Sequence, residues 1–560
     1  MKKFIKKACA ILLTTSVIGT MLTTTFISVS AQETSDNFIA DREITGLIFM
    51  SDGDVFDEIP ENIQNIIKEQ TGITLNIQGV GTSNSQEALA AGLAAGDLPD
   101  FIVFNLNDSG RPEMQMLLNA SNQGMFHDIA PYLQESEIYG KYFEEGYLPL
   151  DTAQNIMFRE EFNGATYLVH RNIARVGGEI NTNFVGGLYI RQDIVDDLGI
   201  DPSEITTSAQ LSELGYQIQE NGYTDVNGNP VTVFGPTQWG GTDRRYLYQD
   251  IAWTGDSYEK FFPNEDGVVV HESQTDYMMQ RIEFVQGLLA DGLLHPEYFT
   301  MDEPRAQEGI INESFAIVSD MNSNFRKVED GAYVKLGPIQ RVDGSNHLIT
   351  RYKSGYAGWA VPTTTDNPEQ IVQFADWLAT KEGKLLWNYG IEGEHYDLDE
   401  NGYPVIKQEV LDLLAADPQA AQDLGFGGVG AKWGEYLGST DLAPVEDFGE
   451  EYGGFNALQG NSVGVQVAQD YYTEEKLANV EVIDGMSPKS FLYEFEGSDG
   501  MLTTALKRYE EDLIRAFYAS SVEEAQQIMD GSIEGLEAAG LNDYLDFINQ
   551  KIADGTQIIY

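Results

Sequence analysis

Two stretches of the chain carry oxygen ligands at the spacing a calcium loop uses. YGIEGEHYDLDENGYPV, from Tyr389 to Val405, sets Asp397, Asp399 and Asn401 two apart with Gly402 behind them. DVNGNPVTVFGPTQ sets Asp225, Asn227 and Asn229 at the same spacing. A calcium loop turns on Gly at its sixth position and closes with a bidentate Glu at its twelfth. Counted from Asp397, the twelfth residue is Gln408, and Pro404 removes a backbone N–H inside the loop. Counted from Asp225, the sixth is Pro230 and the twelfth is Pro236. Both stretches are therefore expected to fold as turns. Asn401-Gly402 reads as a two-residue hairpin turn that sets Leu398 opposite Val405. Asp225–Asn229 reads as a turn before a strand, Val231–Phe234. No cofactor is expected, with calcium at Asp225, Asn227 and Asn229 as the alternative.

Catalytic constellations are not legible. The six histidines, His127, His170, His271, His295, His347 and His395, include no pair at i, i+4 and no H-E-x-x-H. There is no G-x-S-x-G elbow, no P-loop and no G-x-G-x-x-G. The single cysteine, Cys9, lies in the N-terminal leader, so the exported chain has no thiol nucleophile, disulfide or Cys-ligated zinc. With 89 acidic residues, adjacent carboxylates arise by chance and no glycosidase pair stands out. The chain is not expected to be an enzyme. A secreted carbohydrate-active enzyme remains the alternative.

The tryptophans are the better lead. A sugar ring offers an apolar C–H face that stacks on an indole and a rim of hydroxyls that bond Asp, Asn or Arg. Trp239, Trp253, Trp359 and Trp433 lie in Gly- or polar-flanked stretches, TQWGG, IAWTG, AGWAV and AKWGE. Trp377 and Trp387 lie on helix faces and read as core. Burial in a core is the competing reading for each of the four.

The elements that would position these groups follow from periodicity. EITGLIFM, TLNIQGV and PDFIVFN read as buried strands, separated by helices; in the first helix Ile59, Ile63, Ile66 and Ile67 recur at helical spacing and Gly72 ends it. Strand–helix–strand–helix–strand implies a parallel sheet, whose ligands sit beyond the strand C-terminal ends. From Gly187 to Arg351 a second α/β lobe follows, with a long helix bearing Met278, Ile282, Val285 and Leu289 on one stripe. In NPEQIVQFADWLATKEG, Asn367 is expected to cap a helix, with Pro368 in its first turn, Gln370 completing a capping box and Gly383 ending it. Residues 425–464 read as Gly- and aromatic-rich loop.

Residues 1–31 read as a secretory signal peptide: Lys2, Lys3, Lys6 and Lys7, an uncharged apolar run, then Val29-Ser30-Ala31. Cys9 precedes that run and so cannot be a lipoprotein cysteine, which would follow it. The whole chain of 560 residues carries a net charge of −56, and losing the leader's four lysines takes it to about −60. Such a field repels nucleic acid and anionic membranes.

Five segments in this order resemble the extracellular solute-binding proteins, family 1, of ABC carbohydrate importers, in their long Gram-positive-type branch. They are AAGDLPDFIVFN, LYIRQDIVDDLGI, LLADGLLHPEYFT, NPEQIVQFADWLATKEGKLLWNYGIEGEHYDLDENGYP and DGSIEGLEAAGLNDYLDFINQ. The resemblance implies an α/β, two-lobe periplasmic-binding-protein-like fold of type II. Each lobe would be a mainly parallel sheet flanked by helices, with a hinge between them that closes on the solute. It implies the leader at 1–31, a polar lead-in at 32–42, an N-terminal lobe at 43–186 and a second lobe at 187–351. A return crossover with N-terminal-lobe helices would follow at 352–400, then hairpin, cleft-lining loops and C-terminal helices at 401–560. It implies a carbohydrate ligand, most simply an oligosaccharide, permease partners with a separate ATPase, and a monomer exported across the cytoplasmic membrane. On strand-end position and chemistry, the ligand contacts would be Asp52, Asp54, Asn105, Trp239, Arg244 (or Arg245), Trp253, Asn322, Trp359 and Trp433. Tyr389 and His395 would lie near the cleft. A non-sugar solute, such as a peptide or signalling molecule, is the other alternative ligand.

Overall fold

The computed structural model describes residues 37–50, 58–105, 112–136, 138–148, 157–173, 187–241, 246–251, 260–264, 266–321, 326–337, 339–340, 348–351, 354–416, 432–438, 480–483, 487–497 and 499–558. Their buried apolar side chains form two large cores. One gathers residues between Ile44 and Val169 with Trp359 to Leu437. The other gathers Leu188 to Ile339 with Phe491 to Ile548. The chain therefore builds one lobe, crosses to a second, returns to finish the first, and crosses again to finish the second.

The first lobe opens with strands β1 (Arg42–Met50), β2 (Ile73–Gly81), β3 (Phe101–Asn105) and β4 (Val169–Ile173). β1 runs parallel to β2 over its full length, Arg42 against Ile73 through Met50 against Gly81, and parallel to β3 through Gly46–Ile48. The intervening helix Glu61–Thr71 buries Ile63 and Ile67 on the sheet and stops at Gly72, whose φ of 78° suits only a residue without Cβ. Gly46 has a different reason to be glycine: a Cβ there would lie 2.2 Å from the Phe101 ring on the neighbouring strand.

The second lobe contains β5 (Tyr189–Arg191), β6 (Thr232–Gly235), the β7–β8 hairpin (Phe261–Pro263, Val269–His271), β9 (Phe315–Val318) and β10 (Tyr333–Lys335). Its sheet runs β10-β5-β9-β6, with β6 and β9 parallel and β5 antiparallel to both neighbours. Helix Tyr277–Ala290 buries Met278, Ile282 and Val285 as the periodicity implies, with Leu288 completing the buried stripe. The C-terminal helices Met501–Phe517, Val522–Ala538 and Leu541–Ala553 share this core.

Between the lobes, β11 (Leu348–Arg351) precedes β12 (Ser354–Ala360), which returns to the first sheet between β3 and β4 and antiparallel to both. A short hairpin, β13 (Tyr396–Leu398) and β14 (Pro404–Ile406), follows in the first lobe. β15 (Val480–Ile483) then pairs parallel with β11, which ties the segment leading into β12 to the one leading back to the second lobe. The lobes also touch through the segment after β15. Leu492 sits in the second core while Tyr493 sits in the first, where its hydroxyl accepts from Asn122 Nδ2 at 2.6 Å.

The helix after β12 departs from expectation. Asn367 has φ 52° and its side chain caps nothing, while Gln370 Oε1 accepts from Arg42 at 3.0 Å instead of reaching back to the cap. The helix Pro368–Ala379 ends at Thr380, not at Gly383. Thr380 then caps a second helix, Lys381–Tyr389, by accepting from Gly383 N at 3.2 Å.

Candidate ligand cleft

In the first lobe, β1 and β3 end on one edge of the sheet, at Met50 and Asn105. β4 ends and β12 begins on that same edge, because Ser354 pairs with Ile173 and Ala357 with Asn105. In the second lobe, β6 and β9 end side by side at Gly235 and Val318. β5 begins and β10 ends there too, since Tyr189 pairs with both Val318 and Lys335. The first crossover thus joins the strand-end edge of one sheet to the strand-end edge of the other, and the second returns between the same two edges. In open α/β sheets this edge is where ligands bind. Here both such edges flank the crossovers.

Trp239 stands on the second-lobe edge. A turn after β6 holds it: Gly240 N donates to Thr237 O at 3.1 Å, Thr237 Oγ1 donates to Gly240 O at 2.8 Å, and the same hydroxyl accepts from Trp239 N at 3.1 Å. Gly240 has φ 95°, and a Cβ on Gly241 would lie 2.3 Å from the Phe299 backbone, so the pair of glycines lets the turn lie flat on the neighbouring loop. The indole is half-buried, which leaves part of its surface open.

Beside it, Asp320 ties three segments together. Its Oδ1 accepts from Gly187 N at 2.7 Å, at the start of the second lobe, and its carbonyl accepts from Gln238 N at 2.9 Å. Lys335 lies behind this junction with its Nζ 4.6 Å from the Tyr189 ring centroid. Burial pushes its ammonium pKa well below the usual lysine range, against the opposing pull of Asp320. The only sequence signal for this cluster was the acid that closes the strand FAIVSD; a buried lysine in a three-residue strand gives none.

Of the residues expected to contact ligand, Trp239 and the strand-end Asn105 fall on the two edges. Asp52, Asp54, Arg244 (with Arg245), Trp253 and Asn322 lie outside the described residues. Trp359 belongs to the core instead. It sits mid-strand between Val103 and Val169, is 1 % exposed and stacks on Phe101 at 4.5 Å. Trp433, on the helix Lys432–Leu437, is likewise buried in the first core. The glycines beside them, which read as open loop, make room for other groups: a Cβ on Gly358 would lie 3.2 Å from Val169 O, and one on Gly434 2.6 Å from Trp387 O. Tyr389 and His395 are also buried; His395 Nδ1 accepts from Ile391 N at 2.9 Å and burial lowers its pKa, so it serves the fold as a neutral ring.

Both calcium-like stretches close as the same kind of hairpin loop. Asp399 N donates to Tyr403 O at 2.8 Å, Gly402 N to Asp399 O at 3.0 Å, and Asp399 Oδ1 accepts from Asn401 N and Tyr403 N. Gly402 has φ 81°, which makes this a three-residue loop with a glycine bulge. Leu398 consequently pairs with Pro404, not with Val405. The Asp399 carboxylate, capping two N–H groups, selects the longer loop. Asp225 repeats the geometry: its N donates to Asn229 O, Gly228 N donates to its O, and its Oδ1 accepts from Asn227 N and Asn229 N at 2.8 Å each. Its second oxygen accepts from Asn229 Nδ2 at 3.2 Å and Ser314 Oγ at 3.3 Å. These donors hold its pKa below the usual carboxylate range. A cation would have to displace these donors from both carboxylate oxygens, so the loop as folded does not fit a calcium ion. Among the described residues, no group of three or more His, Cys, Asp or Glu is placed to hold a metal.

A polar cavity of about 390 Å³ lies beside this loop, lined by Asn229, Thr232, His295, Arg305 and Ser314 among others. It adjoins the start of β6, whereas Trp239 follows its end. Two of its lining side chains are engaged by Glu297, Arg305 with its carboxylate at 2.5 Å and His295, whose Nδ1 accepts from its backbone N–H at 3.0 Å.

Comparison with known proteins agrees with this architecture. The lipoprotein LipO of Bacillus subtilis is 21 % identical over 382 residues, 64 % of this chain and 68 % of that protein. The polygalacturonan/rhamnogalacturonan-binding protein YtcQ of the same organism is 23 % identical over 351 residues, 60 % of this chain and 63 % of that protein. Among solved structures, the alginate-binding protein AlgQ2 without calcium ion superposes with a TM-score of 0.67 at 17 % identity, covering 92 % of this chain and 99 % of that one. The Streptococcus pneumoniae ABC-transporter substrate-binding protein FusA in complex with kestose does so with 0.62 at 15 % identity, covering 92 % and 99 %. The family model of bacterial extracellular solute-binding proteins matches residues 56–385, more than half of the sequence, and the chain belongs to that family.

Proposed function

We propose that the protein captures an oligosaccharide between its two lobes and delivers it to the permease of an ABC importer. The observation that carries this reading is the pair of strand-end edges flanking the crossovers, with a half-buried tryptophan held on one of them. An indole at a turn tip suits the C–H face of a sugar ring. Relatives and structural neighbours named for polygalacturonan, alginate and kestose support the same ligand class. Asn105 would bond hydroxyls from the first lobe. Asp52 and Asp54 after β1, Arg244 and Trp253 after Trp239, and Asn322 after Asp320 join the proposed contacts by their place in the sequence.

In this reading the protein acts as a monomer, performs no catalysis and works outside the cytoplasmic membrane, exported by residues 1–31 without a lipid on Cys9. No described helix is long and apolar enough to cross a membrane. The ATPase that drives uptake is a separate chain. The Asp225 loop works without metal, so adding calcium or a chelator leaves the melting temperature unchanged; a fall with chelator that calcium reverses would restore the metal reading.

Titrating intrinsic tryptophan fluorescence with neutral and uronic-acid oligosaccharides tests the capture reading. One of them is expected to give a saturable change and to be recovered intact, whereas shortened products would favour the enzyme alternative. Trp239→Ala is expected to weaken that affinity about tenfold, as roughly 60 Å² of lost ring-face contact implies at ~25 cal/mol per Å². An unchanged affinity would remove Trp239 from the site.

A further inference from the structure

Four Asn-Gly dipeptides occur in the chain: Asn163-Gly164, Asn221-Gly222, Asn227-Gly228 and Asn401-Gly402. All four asparagines are exposed and all four glycines have positive φ. Asn-Gly is chemically labile because glycine adds no side chain to hinder its own nitrogen. That nitrogen attacks the Asn Cγ, the Cγ–Nδ2 bond breaks, ammonia leaves, and a cyclic succinimide forms. Water then adds across one of the two imide C–N bonds, giving either aspartate or an isoaspartyl linkage. No oxidant or other co-reactant is required.

Attack requires the glycine N–H to be free of its hydrogen bond. In three of the four it is engaged: Gly222 N donates to Ile218 O at 3.2 Å, Gly228 N to Asp225 O at 3.0 Å, and Gly402 N to Asp399 O at 3.0 Å. Each of these bonds also closes its own turn or helix end, so releasing the nitrogen opens local structure. Gly164 differs. Its turn is closed one residue later, by Ala165 N donating to Phe162 O at 3.0 Å. Asn163 and Gly164, at φ 52° and 88°, are the two central residues of a turn of type I′ character, and the Gly164 N–H has no acceptor among the described residues.

We propose that Asn163 is the site of spontaneous deamidation in the folded protein, and that the other three Asn-Gly pairs are protected by their turn hydrogen bonds. The position has a consequence for the lobes. Asn163 Nδ2 donates to Glu161 O at 3.2 Å; Glu161 pairs with Arg159 at 2.7 Å; and Arg159 reaches across to Ser490 O at 3.3 Å. An isoaspartyl linkage adds a methylene to the backbone directly after this contact between the first lobe and the segment that carries Leu492 and Tyr493.

The test is to age the folded protein in mildly alkaline oxygen-18 water and map label by mass spectrometry, with the urea-denatured chain in parallel. In the denatured chain the four sites are expected to convert at similar rates. In the folded protein Asn163 should convert first, and the other three should each lag by about fivefold or more, the factor that ~1 kcal/mol of net hydrogen bond corresponds to. Asn163→Gln should remove the early label without slowing the other three. Equal rates at Asn163 and any protected site in the folded protein, or an unlabelled Asn163 while the denatured chain converts, would overturn the proposal.

Discussion

Trp359→Ala is expected to destabilise the first lobe by about 3–5 kcal/mol, the range for removing a large aromatic from a packed core. The indole is 1 % exposed, stacks on Phe101 at 4.5 Å and meets the Phe374 ring edge-on at 6.3 Å. It therefore joins the strand β12, which returns from the second lobe, to β3 and to the helix Pro368–Ala379. Calorimetry should show the first lobe's transition moving to lower temperature, with the second lobe's transition following only as far as the lobes are coupled. Trp359→Phe separates packing from ligand contact. It should keep oligosaccharide affinity unchanged while lowering stability by less than the alanine variant. A large loss of affinity in a well-folded Trp359→Phe protein would return this residue to the cleft.

A second large effect is expected at Glu272. Its carboxylate accepts from Arg281 at 2.9 Å and from the Tyr509 hydroxyl at 3.0 Å, and the two charged side chains are 2 % and 0 % exposed. The pair locks helix Tyr277–Ala290 and the C-terminal helix Met501–Phe517 onto the turn that follows β8. Glu272→Ala leaves the guanidinium buried without its carboxylate, a change that costs about 3–5 kcal/mol. The double variant Glu272→Leu/Arg281→Met should recover most of that loss, because it removes both desolvated charges together. Urea denaturation of the two variants and the parent measures both numbers. A single variant as stable as the parent would show that the pair does not hold the second lobe together.

These two sites also mark where the sequence is readable and where it is not. The buried stripes Ile63/Ile67 and Met278/Ile282/Val285 are visible because helical burial repeats every three to four residues. The parallel order of β1, β2 and β3 follows from alternating strand and helix, and with it the edge on which Asn105 lies. The two-lobe α/β fold was legible on those grounds and on the ordered family segments. Trp359 was misplaced because small neighbours, as in AGWAV, describe both an exposed loop and a strand that must pass close to another ring. Composition around a residue does not distinguish the two; the pairing partner, Val103, does. The hairpin register slipped because Asp399 binds two backbone N–H groups, a side-chain effect that the Asn-Gly pair alone does not encode. Glu272 and Arg281 are nine residues apart across a turn, and no periodicity announces such a pair.

Solute capture is expected to close the two lobes about the crossovers. Small-angle X-ray scattering with and without a saturating oligosaccharide, on a sugar already found to bind by fluorescence, tests it most directly. Closure gives a smaller radius of gyration in the complex, with the sugar recovered at its original length. Saturable binding with no compaction, or sugar returned cleaved, would contradict it.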